Sequence, residues 1–154
     1  MKANVSPLQR AAVAWGRWHT ALVPRELIDS PTLYAGVPYS YAARTPAGGS
    51  VFTAGACPLD ADGDVVSQGD IVGQTRQALE NVITTLASAG CKPEDVVKTT
   101  VYVATTDHAD LAVAWRVVEE VFGKRGPPST LLGVSVLGWP EQLVEIEAVA
   151  AHPS

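Results

Sequence analysis

The stretch that most limits what this chain can fold into is Leu143-Val144-Glu145-Ile146-Glu147-Ala148-Val149-Ala150. It alternates with period two, so Val144, Ile146, Ala148 and Ala150 share one apolar face while Leu143, Glu145, Glu147 and Val149 share the other. That is a β-strand with a buried side, and it carries two carboxylates roughly 7 Å apart on its second side. Upstream, Ser129 to Leu137 alternates as well, with Thr130, Leu132, Val134 and Val136 opposite Ser129, Leu131, Gly133 and Ser135. Gly138-Trp139-Pro140-Glu141-Gln142 between the two runs is turn chemistry. The expectation is an antiparallel hairpin that brings Ser129 and both glutamates into one neighbourhood.

The remaining elements follow from the same signals. Tyr34 to Arg44 and Ser50 to Gly55 are expected strands joined by the turn Pro46-Ala47-Gly48-Gly49. Asp70 is placed to cap a helix running to about Ala89, with Ile71, Thr75, Ala78, Leu79, Val82, Ile83 and Leu86 on one face and Gly90 beyond its end. Asp95 to Thr105 is a β-branched strand in which Val97, Thr99, Val101 and Val103 alternate with Lys98, Thr100 and Tyr102. Asp107 or Thr106 caps a second helix ending near Phe122, with Leu111, Trp115, Val118 and Phe122 as its stripe and Gly123 after it. The order is ββαβαββ, one α+β domain over residues 35–154. Residues 1–34 form an N-terminal extension, partly helical, in which Leu8 to Leu22 sets Trp15, Trp18 and Leu22 on one stripe before Pro24.

Two helices can cover one side of such a sheet and no more. The uncovered side is expected to carry Lys98, Thr100, Tyr102, Ser129, Leu131, Glu145 and Glu147, too apolar to stay wet and too polar for a dry core. An oligomer interface with clefts resolves that conflict. Composition points the same way, because charged residues are only 18% and apolar ones 47% of the 154 residues. A net charge of −5, with eleven scattered Lys and Arg, gives no electrostatic footprint for nucleic acid or an anionic membrane surface. No run of 18 apolar residues occurs and the first residues do not read as a secretory leader, so a cytoplasmic protein is expected. Cys57 and Cys91 are two small buried thiols in this reading, and His19, His108 and His152 lack metal-ligand spacing, so no metal and no cofactor are expected. Leu59-Asp60-Ala61-Asp62-Gly63-Asp64 is oxygen-rich but lacks the flanking helices and twelfth-position Glu of an EF-hand, and is read as a polar turn.

The C-terminal pair of runs resembles the signature of the RidA/YjgF family of reactive-intermediate (enamine/imine) deaminases, where a Pro-x-Arg loop leads into a strand and a Val-Glu-Ile-Glu-Ala strand closes the sheet. Val51-Phe52-Thr53-Ala54-Gly55 with Pro58, Gln74-Thr75-Arg76-Gln77-Ala78-Leu79-Glu80-Asn81-Val82, and Asp95 to Val103 resemble further family segments, in family order. The likeness covers about Ala35 to Ala150. It implies a chorismate-mutase-like subunit, one mixed sheet with two helices on one face, and a homotrimer with ligand clefts between subunits. It also implies hydrolysis of an enamine or imine to a carbonyl compound and ammonia.

Carried over by position, the resemblance makes Glu145 the group that places the attacking water and Tyr39 a phenol lining the pocket. Ala54 and Gly55 contribute backbone to the same pocket, and Leu131 lines it. Where the family's deaminases have an arginine that clamps the substrate carboxylate, this chain has Ser129. One neutral hydroxyl in place of a bidentate cation leaves a bound carboxylate short by about a few kcal/mol. Simple 2-imino acids are therefore expected to be poor substrates unless Arg125, Lys124 or Arg44 supplies the cation. Two outcomes stay open: an enamine/imine hydrolase acting on another small molecule, or a catalytically silent trimer that binds a metabolite or a partner protein. Glu145 and Glu147 could also be strand carboxylates paired with Lys98 or Arg44, and Trp139 could line the pocket or anchor its turn. A ribonuclease activity, also attached to some family members, is disfavoured by the acidic balance and the lack of a histidine pair.

Overall fold

The computed structural model describes residues 26–37, 40–45, 48–123 and 126–153. The helix expected over Leu8 to Leu22, together with Tyr39, Lys124 and Arg125, lies outside them. Six strands make one sheet: β1 (Glu26–Ile28), β2 (Ala42–Arg44), β3 (Ser50–Thr53), β4 (Val96–Ala104), β5 (Ser129–Val134) and β6 (Val144–Ala151). Helix α1 (Ile71–Ser88) lies between β3 and β4 in sequence, and α2 (His108–Phe122) between β4 and β5. The order across the sheet is β1-β2-β3-β6-β4-β5.

Both helices begin where local chemistry places them. The Asp70 side chain accepts from the Val72 N–H and the Asp107 side chain from the Ala109 N–H, each satisfying an otherwise orphaned donor of a first turn. Gly123 follows α2 at φ +74°, a conformation that side chains with a Cβ rarely adopt. The helices pack on one face of the sheet, α1 over β6 and β3 and α2 over β4 and β5. Between them and the sheet Leu79, Val82, Leu86, Val101, Val103, Val144 and Ile146 are at most 1% exposed.

Strand β6 is central because its apolar face is complete: Val144, Ile146, Ala148 and Ala150 are all buried. It pairs antiparallel with both β3 and β4, and this overturns the expected hairpin with β5. Strand β5 instead runs parallel to β4, joined to it by α2 as a βαβ crossover, and occupies the sheet edge. The register Thr99↔Ser129 and Val101↔Leu131 puts Ser129 and Leu131 on the helix side, and Thr130 and Leu132 on the open side. Ser129 and Leu131 therefore leave the face to which the alternation had assigned them beside Glu145 and Glu147.

Three further differences are local. The expected strand over Tyr34 to Arg44 is reduced to Ala42–Arg44, because the chain from Pro31 to Gly36 turns and the Tyr41 hydroxyl donates back to the Tyr34 carbonyl at 2.6 Å. Glu26–Ile28, within the segment read as an extension, pairs antiparallel with β2 as an edge strand. A bulge between Val96 and Lys98 buries Val96 and leaves Val97 49% exposed, reversing the expected side for Val97. The Asp60 loop is a turn as expected, the Asp60 carboxylate accepting from the Asp62 and Asp64 N–H groups at 3.0 Å each.

Candidate functional site

Glu145 stands on the open face of β6 directly across from Tyr102 of β4. Its surroundings are built by helix α1, which presents two buried amides about two turns apart to the loops on either side of the carboxylate. Gln74, fully buried, donates to the Glu141 carbonyl at 2.9 Å and accepts from the Leu143 N–H at 2.7 Å, fixing the bend that leads into β6. Asn81 donates to the carbonyls of Cys57 and Leu59, both at 2.9 Å, fixing the loop after β3. A buried carbonyl without a partner costs about 1–3 kcal/mol, so these amides determine where the loops sit. The antiparallel bridge between Ala56 and Ile146 then clamps that loop against β6.

The result is a close cradle for one carboxylate. Gln142, 4% exposed, donates through Nε2 to Glu145 Oε2 at 3.1 Å and to the Val144 carbonyl at 3.1 Å, while its Oε1 accepts from the Trp139 N–H at 3.0 Å. The Cys57 thiol donates to the same Oε2, with Sγ 3.6 Å away. Both donors hold Oε2, and Oε1 lies against Gly55, where a Cβ would collide with it. The carboxylate is thus oriented, with one oxygen engaged and the other left to meet a ligand or water.

Burial pushes the Cys57 thiol up to about 12, with the Glu145 charge adding in the same direction. It is a hydrogen-bond donor at working pH rather than a thiolate nucleophile. Because the folded value is raised, the stability that Cys57 contributes is complete below about 9 and disappears as pH rises toward about 12. Tyr41 and Tyr102 are also raised, each by burial first, with Cys57 next for Tyr41 and the hydrogen bond to Glu147 next for Tyr102. Melting temperature is therefore expected to hold up to pH 9 and fall above it. Cys91 is raised as well, by burial first, so in Cys57→Ala the fall should begin near the same pH but be shallower, whatever the change in the neutral-pH melting temperature; an equally steep fall would count against the thiol.

The structure sets Glu145 against Gly55, with Ala54 next to Gly55 in the chain. It does not bring Ser129 or Leu131 to them within one subunit. Ser129 lies across β4 from β6 and on the opposite face, its hydroxyl 2.8 Å from that of Thr99, and Leu131 packs against the core. Arg44 is not a free substitute for the missing cation either. Its guanidinium donates to Glu26 Oε2 at 3.1 and 2.5 Å, to the Ala89 carbonyl at 3.2 Å, and lies 3.1 Å from His152 Nε2. Nor do the two carboxylates of β6 form ion pairs among the described residues. Glu147 accepts from the Tyr102 hydroxyl at 3.1 Å, and Lys98 turns to the Thr99 carbonyl and the Thr130 hydroxyl. Trp139 meets Tyr34 edge-on with ring centroids 6.5 Å apart, and its side chain also reaches the Cys57 thiol beside Glu145.

Sequence reasoning missed Gln142 and Cys57 as partners of Glu145, and Gln74 and Asn81 as the groups that place the loops. The one available signal was the pair of amides seven residues apart on an apolar helical stripe, a spacing that puts both on the buried face.

A family model described as Endoribonuclease L-PSP matches residues 30–152. A RutC family protein of Pyrococcus horikoshii is 42% identical over 113 residues, covering 73% of this chain and 86% of the relative. The 3-aminoacrylate deaminase RutC of Acinetobacter baylyi is 34% identical over 131 residues, covering 83% of this chain and 98% of the relative. Among solved structures, the YjgF gene product of E. coli superposes with a TM-score of 0.69 at 30% identity, over 82% of this chain and 98% of the other.

Proposed function

The chain belongs to the Endoribonuclease L-PSP family, also called RidA/YjgF, and from that premise we propose that it is an enamine/imine hydrolase whose substrate is not a simple 2-imino acid. The observation that carries this reading is the oriented Glu145 carboxylate, its Oε2 held by Gln142 and Cys57 and its Oε1 against Gly55. An iminium carbon is already electrophilic, so the enzyme has to place a water beside it and accept the water's proton as the C–O bond forms. A carboxylate with one anchored oxygen suits that task. The same group returns the proton to the carbinolamine nitrogen; the C–N bond then breaks to expel ammonia as the hydroxyl gives up its proton to the freed carboxylate or water, leaving the carbonyl product. A relative named as a deaminase of 3-aminoacrylate supports the reaction class.

Substrate choice rests on Ser129. It offers a neutral hydroxyl already engaged with Thr99, and it sits on the edge strand, where it can meet only a neighbouring copy's Glu145. We infer a homotrimer in which Ser129 and Glu145 approach each other only across a subunit boundary, and the open face supports association: Leu27, Phe52 and Leu132 are 58, 50 and 43% exposed on it. Light scattering is expected to give about three times the 16.2 kDa chain mass; a stable monomer at micromolar concentration would remove the composite cleft. Coupled to an amino-acid oxidase or a threonine dehydratase, the protein is expected to speed keto-acid release little over buffer, while enamines without an α-carboxylate are hydrolysed. Strong acceleration with 2-imino acids would show that another cation has replaced the clamp. No acceleration with any enamine would favour a silent ligand-binding trimer, the outcome to which the loss of the arginine also points.

A further inference from the structure

Trp139 is tied to the Glu145 carboxylate by two routes. Along the backbone, its N–H donates to Gln142 Oε1 at 3.0 Å and its carbonyl accepts from the Gln142 N–H at 3.2 Å, while the Gln142 amide holds Glu145 Oε2. Through its side chain it reaches the Cys57 thiol, which donates to the same oxygen. The bend that carries Trp139 is held against its own preference. Glu141 sits at φ +60°, a conformation that residues with a Cβ rarely adopt, and Gln74 keeps it there through the Glu141 carbonyl.

The indole so placed is half-buried and braced by a second ring. Tyr34 meets it edge-on with centroids 6.5 Å apart, and Tyr34 is itself fixed, because a Cβ at Gly36 or Gly63 would run into its ring. The Tyr34 carbonyl is held as well, by the Tyr41 hydroxyl at 2.6 Å. Both rings belong to connections, Trp139 between β5 and β6 and Tyr34 between β1 and β2, so neither stands on the strands whose open face an oligomer would cover. With its side chain engaging the thiol, what the indole has left to offer a ligand is apolar ring.

A substrate with no cation to clamp it needs binding free energy from elsewhere, since Arg44 is engaged with Glu26 and the Ala89 carbonyl, and Lys98 with the Thr99 carbonyl and the Thr130 hydroxyl. Ring-on-ring contact supplies it, through the apolar area buried and the preference of aromatic pairs for offset or edge-on geometry. We propose that Trp139, braced by Tyr34, is the specificity-determining wall of the Glu145 site, and that the substrate is an enamine or imine with an aromatic group within a few bonds of the reacting carbon, where the family's substrates carry a carboxylate. This deepens the hydrolase reading and rests on it for the reacting group, while the aromatic contact itself is measured without turnover.

Two primary enaminones that differ in one group test it: 4-aminopent-3-en-2-one and 3-amino-1-phenylbut-2-en-1-one. Each takes up one water to give a 1,3-diketone and ammonia, with a change in ultraviolet absorbance. With the full chain the phenyl compound is expected to show a kcat/KM at least about tenfold higher, mostly through KM, and its diketone product to bind at least about tenfold more tightly than pentane-2,4-dione in isothermal titration. Trp139→Leu should cut both preferences by about tenfold, and Trp139→Phe, which keeps a ring and loses the N–H, should retain most of them, each variant being checked by circular dichroism and oligomer mass. A Trp139 that only anchors its turn would instead misplace Glu145 and lower kcat for both compounds alike, with the ratio unchanged, and that result overturns the proposal. So does equal loss of preference in the Leu and Phe variants, or the absence of any phenyl preference in the unaltered protein, a result that needs no variant to fold. If neither enaminone is hydrolysed but the phenyl diketone binds with a preference that depends on Trp139, the hydrolase reading fails and the wall stands. If both are hydrolysed alike, the wall fails and the hydrolase reading stands.

Discussion

Glu145→Gln is expected to lower the rate of enamine hydrolysis by about 10²–10⁴-fold while leaving the melting temperature within a few degrees. The fold should tolerate the change because the interactions at Oε2 are both donated to it, by Gln142 and Cys57, and an amide oxygen accepts them equally well. What the amide cannot do is take a proton from water. The water can still be placed, so substrate binding should survive and the loss should fall on kcat rather than KM. Following disappearance of a preformed enamine by its ultraviolet absorbance, in a variant shown to keep its oligomer mass, gives the answer. A rate within a factor of about three of the original protein would mean that proton transfer at this site does not go through Glu145.

Legibility from sequence divided along the distance over which each choice is made. Helix α1 was readable because its cap, apolar stripe and stop lie within some twenty residues, and Asp70 caps it as expected. The faces of β6 were readable for the same reason. Its neighbours were not, since alternation says which side of a strand is buried and nothing about which strand lies beside it. The turn chemistry at 138–142 favoured a hairpin, yet Gln74 from α1 captures that bend and β6 inserts between β3 and β4. The consequence reached the site directly. Placing β5 parallel to β4 carried Ser129 to the other face, so the residue that departs from the family pattern and the carboxylate of the proposed reaction are separated within one subunit.

Glu145 and Gly55 were legible only through the resemblance, and the reason they belong together became visible in the loop contacts. Asn81 acts on Cys57 across 24 positions of sequence and Gln142 on Glu145 across three. The first of these has no local signature at all. Cys57 was expected to be a small buried thiol, and it is buried; its hydrogen bond to the carboxylate depends on where Asn81 holds the loop.

Gly55→Ala is expected to cost as much activity as removing the carboxylate, and far less stability than a core substitution. Gly55 has no positive φ to protect, so alanine suits its backbone. The obstacle is Glu145: a Cβ at Gly55 overlaps Oε1 and would stand 2.6 Å from Cδ and 2.9 Å from Cγ. The backbones cannot part to make room, because the Ala56 N–H donates to the Ile146 carbonyl at 2.7 Å and the Ile146 N–H to the Ala56 carbonyl at 3.2 Å, one residue along from each. The side chain must therefore rotate, giving up Gln142 and Cys57 and removing the proton acceptor from its place. Two lost hydrogen bonds amount to about 1–3 kcal/mol, a fall in melting temperature of roughly 3–10 °C for a chain of this size. Hydrolysis should drop by about 10²-fold or more. The decisive comparison is the double variant with Glu145→Gln, which should be no slower than the worse of the two singles, because both changes remove one function. Full activity in Gly55→Ala would show that the working position of Glu145 lies away from the loop, and additive losses would show that Gly55 acts through something other than this carboxylate.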